Sequence, residues 1–145
     1  MQLDIKPVSV ERVRPLRHRV LRPGQPWSST LWPRDLDPDT VHFAGFLGTE
    51  IVVIGTVFPE PYDEWSDAVR LRGMATAPEH RRKGYGFQLL DAMVRHAREY
   101  LGASLLWCNA REAAFPFYER YGFTLVGKPF DVPGIGIHRV GLLRL

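Results

Sequence analysis

The run Arg81-Arg82-Lys83-Gly84-Tyr85-Gly86 sets three consecutive basic residues against two glycines. It stands between a probable strand ending near residue 76 and a long amphipathic segment that begins at Gly84. The chemistry open to such a run is anion binding. At a helix start the first N–H groups have no intrahelical partner, and the helix dipole favours negative charge there. Gly84 and Gly86 remove side chains where a phosphate would approach the main chain. A phosphorylated cofactor is the ligand this reading implies. The P-loop spacing and its Lys-Ser/Thr ending are absent. The dinucleotide fingerprint fails too, because Gly84-Tyr85-Gly86 is followed by Phe87-Gln88-Leu89. Where that fingerprint wants an acidic residue, about 20 positions on, this chain has Leu105, Leu106 and Trp107.

The elements that must position the loop follow from periodicity. Residues 2 to 7 alternate as a short strand, and Ser9 can cap a helix whose stripe is Leu16, Val20 and Leu21. Pro15 implies either a kink or a start near Arg14. Residues 23 to 38 hold four prolines with Trp27 and Trp32, and read as an ordered loop, with or without a helical turn. Strands at 41 to 47 and 51 to 58 flank Gly48-Thr49-Glu50 as a hairpin, and the loop 59 to 67 returns to a strand at about 68 to 76. From Gly84 to Leu101, apolar residues recur at three- and four-residue steps, and Gly102 stops the helix. A buried strand at 104 to 109, a helix at 113 to 121 ending at Gly122, and strands near 123 to 127 and 136 to 144 complete the order.

With 145 residues and 45% hydrophobic content, the chain has enough apolar material for one domain, residues 1 to 145. No apolar run is long enough to span a membrane. The N-terminus lacks a signal-peptide core. A single cysteine excludes an internal disulfide and suits a reducing cytoplasm. Five histidines without paired ligand spacing imply no metal site. The net charge of +3 is spread too widely to argue for nucleic acid.

Arg81 to Gly86 matches the pattern Arg/Gln-x-x-Gly-x-Gly/Ala, and so resembles the acetyl-coenzyme A loop of the GNAT superfamily of N-acetyltransferases. Leu105 to Phe123 is similar to that superfamily's next strand and helix, including its Tyr-x-x-x-Gly-Phe ending as Tyr118-Glu-Arg-Tyr-Gly122-Phe123. The segment Leu16-Arg17-His18-Arg19-Val20-Leu21-Arg22-Pro23-Gly24 also resembles one subgroup of small acyltransferases. The resemblance implies a mixed α/β (α+β) fold. Its central sheet would have about six to seven mostly antiparallel strands, helices on both faces and a splay between the two middle strands. It implies transfer of acetyl from acetyl-CoA directly to a primary amine of a small molecule or protein, in a ternary complex. Neither nucleic acid nor membrane would be a partner, and a homodimer is compatible with it.

The implied roles are specific. Main-chain groups of Met74, Ala75 and Thr76 would pair with the pantetheine arm. Arg81, Arg82, Lys83, Gly84, Tyr85 and Gly86 would cradle the pyrophosphate. Tyr118 would touch the cofactor and protonate the leaving sulfur, since a phenol near pKa ~10 keeps its proton at neutral pH. Ala114 would admit the cofactor close to the helix. Many members carry an asparagine three residues earlier, where this chain has Arg111; Asn109 either substitutes for it or ends the strand by bonding a turn amide. No general base stands out among His42, Asp37 and Glu79. Cys108 is either an acetyl acceptor or a small core residue. Glu60, Asp63, Glu64 and Asp67, with Tyr62 and Trp65, make the 59 to 67 loop either an anionic rim for a cationic amine or a solvated hairpin tip. A non-catalytic acyl-CoA-binding or sensing module is the alternative function. It would keep the loop and strand but tolerate loss of Tyr118.

Overall fold

The computed structural model describes residues 2–145. Strands β1 (Asp4–Val8), β2 (Val41–Leu47), β3 (Glu50–Pro59), β4 (Val69–Thr76), β5 (Leu105–Arg111), β6 (Thr124–Val132) and β7 (Gly136–Arg144) form one sheet. Their order is β1-β2-β3-β4-β5-β7-β6. All neighbours are antiparallel except β4 and β5, which run parallel. Helix α1 (Val10–Leu16) packs on one face, where Val10, Val13 and Leu16 meet Ala44, Ile54 and Ala75. Helices α2 (Tyr85–Glu99) and α3 (Phe115–Tyr121) pack on the other, with Leu89, Leu90, Met93 and Tyr118 against Val53, Leu71 and Leu106. Strand alternation sends Val53 and Ile54 to opposite faces, which is how a single sheet builds two cores.

Three boundaries differ from the sequence expectation. Pro15 lies inside α1, and the chain continues through a wider π-type turn from Arg17 to Leu21 instead of starting a helix near Arg14. The proline has no N–H for the ladder, so the backbone reorganises just beyond it. Strand β5 extends past Asn109 to Arg111. Strand β6 runs on through Lys128, Pro129 and Phe130 to Val132, with a register shift between Val126 and Phe130. Because β6 is an edge strand, its proline falls where no ladder bond is needed.

The parallel seam is short. Strands β4 and β5 pair only at Val69 with Leu106 and at Arg70 with Trp107. Beyond it a bulge in the β3–β4 ladder turns β4 away, the register shifting between Ile54 and Thr56. Gly73 makes this bend with φ +68; a Cβ there would stand 3.0 Å from Trp32 Cζ3. The expected splay between the two middle strands is therefore present. No helix among the described residues is long and apolar enough to cross a membrane.

Candidate functional site

The splay opens into a groove of about 900 Å³. One wall is Met74, Ala75 and Thr76 of β4, and the facing wall includes Arg111, Ala114, Phe117 and Tyr118. Ala77 donates its N–H to Val52 O of β3 at 2.8 Å. Strand alternation then turns the main-chain groups of Thr76 the other way, toward the missing β5 partner. The middle of the sheet thus carries an unpaired strand edge.

At the end of β4 the chain enters the basic loop. Arg82 has φ 63 and Gly84 has φ 81, two left-handed residues in close succession. Such alternation curls successive N–H groups into a concave nest. The last loop N–H with a backbone acceptor is that of Arg81, bonded to Pro78 O at 3.4 Å, and the next is Gln88, bonded to Gly84 O at 3.1 Å. The six N–H groups from Arg82 to Phe87 find no backbone acceptor among the described residues. Arg81, Arg82, Gly84 and Tyr85 line the groove. Lys83 and Gly86 do not, although both belong to the expected cradle. Gly86 has a packing reason instead, since a Cβ there would meet Phe117 Cε1 at 2.9 Å.

Tyr118 is 6% exposed and sits edge-on to Phe117 and Phe123, with ring centroids 5.1 and 5.2 Å away. It is both a core residue and a lining residue. Burial, with a smaller contribution from Cys108, pushes its phenol well above the ordinary value, so it stays protonated throughout the neutral range. Tyr121, the next tyrosine along the helix, donates to Asp91 Oδ1 at 2.6 Å and is held outside the groove. Cys108 is buried, and its thiol is pushed up to about 12 by burial. A thiol so reluctant to ionise is a core residue, which removes the acetyl-cysteine alternative.

Several other sequence candidates have structural employment. Asn109 is opposite Val140 in the β5–β7 ladder and is absent from the groove wall. His42 has both ring nitrogens engaged, Nδ1 with Thr56 Oγ1 at 2.8 Å and Nε2 with Asp35 O at 2.9 Å. Asp37 holds Arg34, and Glu79 holds Arg19 through two bonds of 2.9 and 2.6 Å. None of the three lines the groove. In the 59 to 67 loop, Glu60 pairs with Arg70, Asp67 accepts from Ser104, and the Tyr62 ring lies 5.1 Å from that of Trp107. Tyr62 and Trp65 cover the apolar patch of Leu105 and Trp107, so the loop is a lid on a core. No residue of it lines the groove.

Sequence reasoning missed a polar cluster beside the bulge. Arg17 is fully buried and pairs with Asp35 at 2.7 Å, and its Cζ lies 3.8 Å from the Trp32 ring centroid. Asp35 also accepts from Arg72 Nη2 at 3.0 Å and from the Trp32 N–H at 2.7 Å. Burial works to raise its carboxyl, but the Arg17 and Trp32 hydrogen bonds and two guanidinium charges hold it below the usual range. The signal lay in the Leu16 to Gly24 stretch, whose arginines sit inside an apolar stripe.

The sequence profile of the acetyltransferase (GNAT) family matches residues 11–123. The chain is 34% identical over 143 residues to an uncharacterized N-acetyltransferase, YitI, of Bacillus subtilis (strain 168), covering 95% of this chain and 93% of that protein. A protein inferred to be an N-acetyltransferase from Lactobacillus plantarum superposes with TM-score 0.83 at 20% identity, over 100% of this chain and 99% of that one. A GNAT family acetyltransferase from Elizabethkingia anophelis, solved with acetyl-CoA bound, superposes with TM-score 0.63 at 16% identity, over 99% and 98% of the two chains. At those identities the two structures speak to the fold alone.

Proposed function

We propose that this acyltransferase, which belongs to the acetyltransferase (GNAT) family, moves the acetyl group of acetyl-CoA to a primary amine of a small molecule or protein. The observation that carries this reading is the run of six free N–H groups from Arg82 to Phe87, at the mouth of a groove whose wall is an unpaired strand edge. A diphosphate fits the first feature, because a helix start and a nest both complement negative charge. The amides of a pantetheine arm fit the second. The groove volume falls within the range of small-ligand sites.

Bound acetyl-CoA would supply an acetyl thioester, an acyl group already activated toward an amine. The residues of this chain do the rest. Arg81 and Arg82 add charge to the nest, and the Thr76 edge fixes the direction of the arm. Tyr118, a residue of the groove wall, keeps its hydroxyl proton. Burial raises a phenol, but it raises a thiolate's proton affinity as well, as the neighbouring Cys108 thiol near 12 illustrates. In that setting Tyr118 would supply its proton to a thiolate leaving group. No ionised cysteine is at hand, so transfer is direct, in a ternary complex. We read residues 1–145 as one N-acetyltransferase domain, and the single buried cysteine suits a cytoplasmic setting.

The test is ligand-linked stability. Acetyl-CoA at ~100 times its dissociation constant should stabilise the fold by about 2.7 kcal/mol, while NADH should leave it unchanged. Stabilisation by NADH alone would overturn the reading. Tyr118→Phe separates enzyme from sensor: a large loss of turnover with acetyl-CoA binding preserved supports the enzyme, whereas a wild type that binds acetyl-CoA with no turnover of any amine would favour a non-catalytic acyl-CoA-binding module.

A further inference from the structure

The acceptor can be narrowed from two arginines that lack the partner their neighbours have. Arg17 and Arg72 share Asp35, and Arg19 holds Glu79. Arg22 and Arg111 pair with no carboxylate among the described residues. Arg22 is half-buried and bonds only the adjacent Leu21 carbonyl, at 2.9 Å. Its Cζ lies 5.1 Å from the Trp32 ring centroid, on an indole that already carries Arg17 at 3.8 Å and Arg72 at 5.4 Å. Burial, then the charges of Arg111 and Arg17, push its pKa down, which marks the two free guanidinium groups as electrostatic neighbours. Asp35 cannot neutralise this pair as well, because its oxygens already take bonds from Arg17, Arg72 and the Trp32 N–H. Buried Nε–H groups of Arg17 and Arg72 also lack acceptors. Glu112 is the one acid on the groove wall; it is exposed and pairs with neither arginine.

Position separates this pair from the phosphate loop. Strand β4 pairs with β5 at Val69 with Leu106 and at Arg70 with Trp107. The same offset carried forward sets Arg111 across the opening from Met74. Trp32, under Arg22, abuts the bulge at Gly73. Arg111 thus lies on the groove wall at the end of β5, and Arg22 directly follows Val20 and Leu21, which line the groove, while Arg81 and Arg82 lie beyond Thr76. Uncompensated cations crowded at low exposure are costly unless an anion joins them. A guanidinium fork matches the two oxygens of a carboxylate or phosphate.

We propose that the acceptor amine carries an oxyanionic group, a carboxylate or a phosphate, which Arg111 on the groove wall and Arg22 beside it hold near Met74. This rests on the acetyl-transfer reading above, and the experiment separates the two. Thiol release from acetyl-CoA would be compared for glycine against glycinamide and for phosphoethanolamine against ethanolamine. The expected result is at least a tenfold preference in kcat/KM for one oxyanionic member, and which pair shows it identifies the anion. Arg111→Gln should erase that preference, and Arg22→Gln, outside the groove lining, should erase it while the KM for acetyl-CoA stays unchanged. An equal or better rate with the neutral amines, or variants that raise the KM for acetyl-CoA instead, would overturn the assignment. Should none of these small amines turn over, tryptophan fluorescence in the presence of coenzyme A decides. N-acetylglycine or phosphate should bind the wild type and be lost in Arg22→Gln, and N-acetylglycinamide should not bind. Absence of anion binding in the wild type would retire the anchor. Absence of acetyl-CoA stabilisation would instead sink the underlying function.

Discussion

Two polar regions lie on either side of the Gly73 bulge, and they treat their hydrogen-bonding groups in opposite ways. On the Trp32 side, Asp35 accepts from Arg17, Arg72 and the Trp32 N–H, and His42 and Thr56 close the cluster. On the groove side, six loop N–H groups and the Thr76 edge have no internal partner. Buried polar groups persist when they are satisfied within the fold or when something outside it completes them. We read the first region as architecture and the second as a receptor. Arg111 lies on the groove wall, and Arg22, which shares an indole with Arg17, stands between the two regions.

The sharpest way to break this comparison is Asp35→Ala. It strands the fully buried Arg17 charge, and stability should fall by about 3–5 kcal/mol in urea titration. A loss of turnover without a loss of stability would reverse the roles assigned here. Tyr118→Phe is the counterpart in the groove. The expected outcome is a fall in kcat on the order of 10²-fold with acetyl-CoA affinity and urea midpoint little changed; a midpoint shift as large as that of Asp35→Ala would make Tyr118 mainly a core residue. Gly73→Ala touches both regions at once. A left-handed φ and a contact at 3.0 Å to Trp32 should cost about 1–2 kcal/mol, and turnover should fall with stability, where the first two variants move one each.

The smallest effect is a pH dependence to which the architectural region contributes through His42 and Asp35. His42 is held below its ordinary pKa, first by burial and then by the charges of Arg17 and Arg72, against the opposing Asp35 bond. The unfolded chain therefore takes up a proton near pH ~6.5 that the folded chain refuses, and stability declines as pH falls below that value. Asp35 adds a second decline at lower pH. Its folded carboxyl titrates below the unfolded value of ~3.9, so its contribution is complete above that pH and is lost as pH drops through the folded value. Urea midpoints at successive pH values would expose both steps, and His42→Asn should shrink the first, leaving the share of His96, whose pKa burial also lowers.

Legibility in the sequence followed the same division. The loop, helix α2, the splay and the groove position of Tyr118 could all be read, because a ligand-facing run of Arg, Lys and Gly is local in sequence and helical periodicity is strong. The Arg17–Asp35 pair could not, since its members are 18 residues apart, and the apolar stripe around Arg17 hints at burial without naming the partner. Asn109 was misjudged for a related reason. Its neighbour Arg111 reaches the groove wall only because β5 runs two residues longer than its apolar composition implied. Strand β6 runs past its expected end near residue 127, because an edge strand with a bulge tolerates both Gly127 and Pro129. The acidic loop looked like a docking rim because charge is visible in a sequence, whereas the packing of Tyr62 and Trp65 over Leu105 and Trp107 depends on tertiary contact.

The short parallel seam carries a mechanical consequence. Strands β1 to β4 and β5 to β7 are two blankets stitched together by a pair of residue couples and by the helices laid across them. A molecule bridging the two flaps would brace the join. Amide hydrogen exchange at Thr76 and along β5 should therefore slow together on ligation, while the far margins of the sheet barely register it.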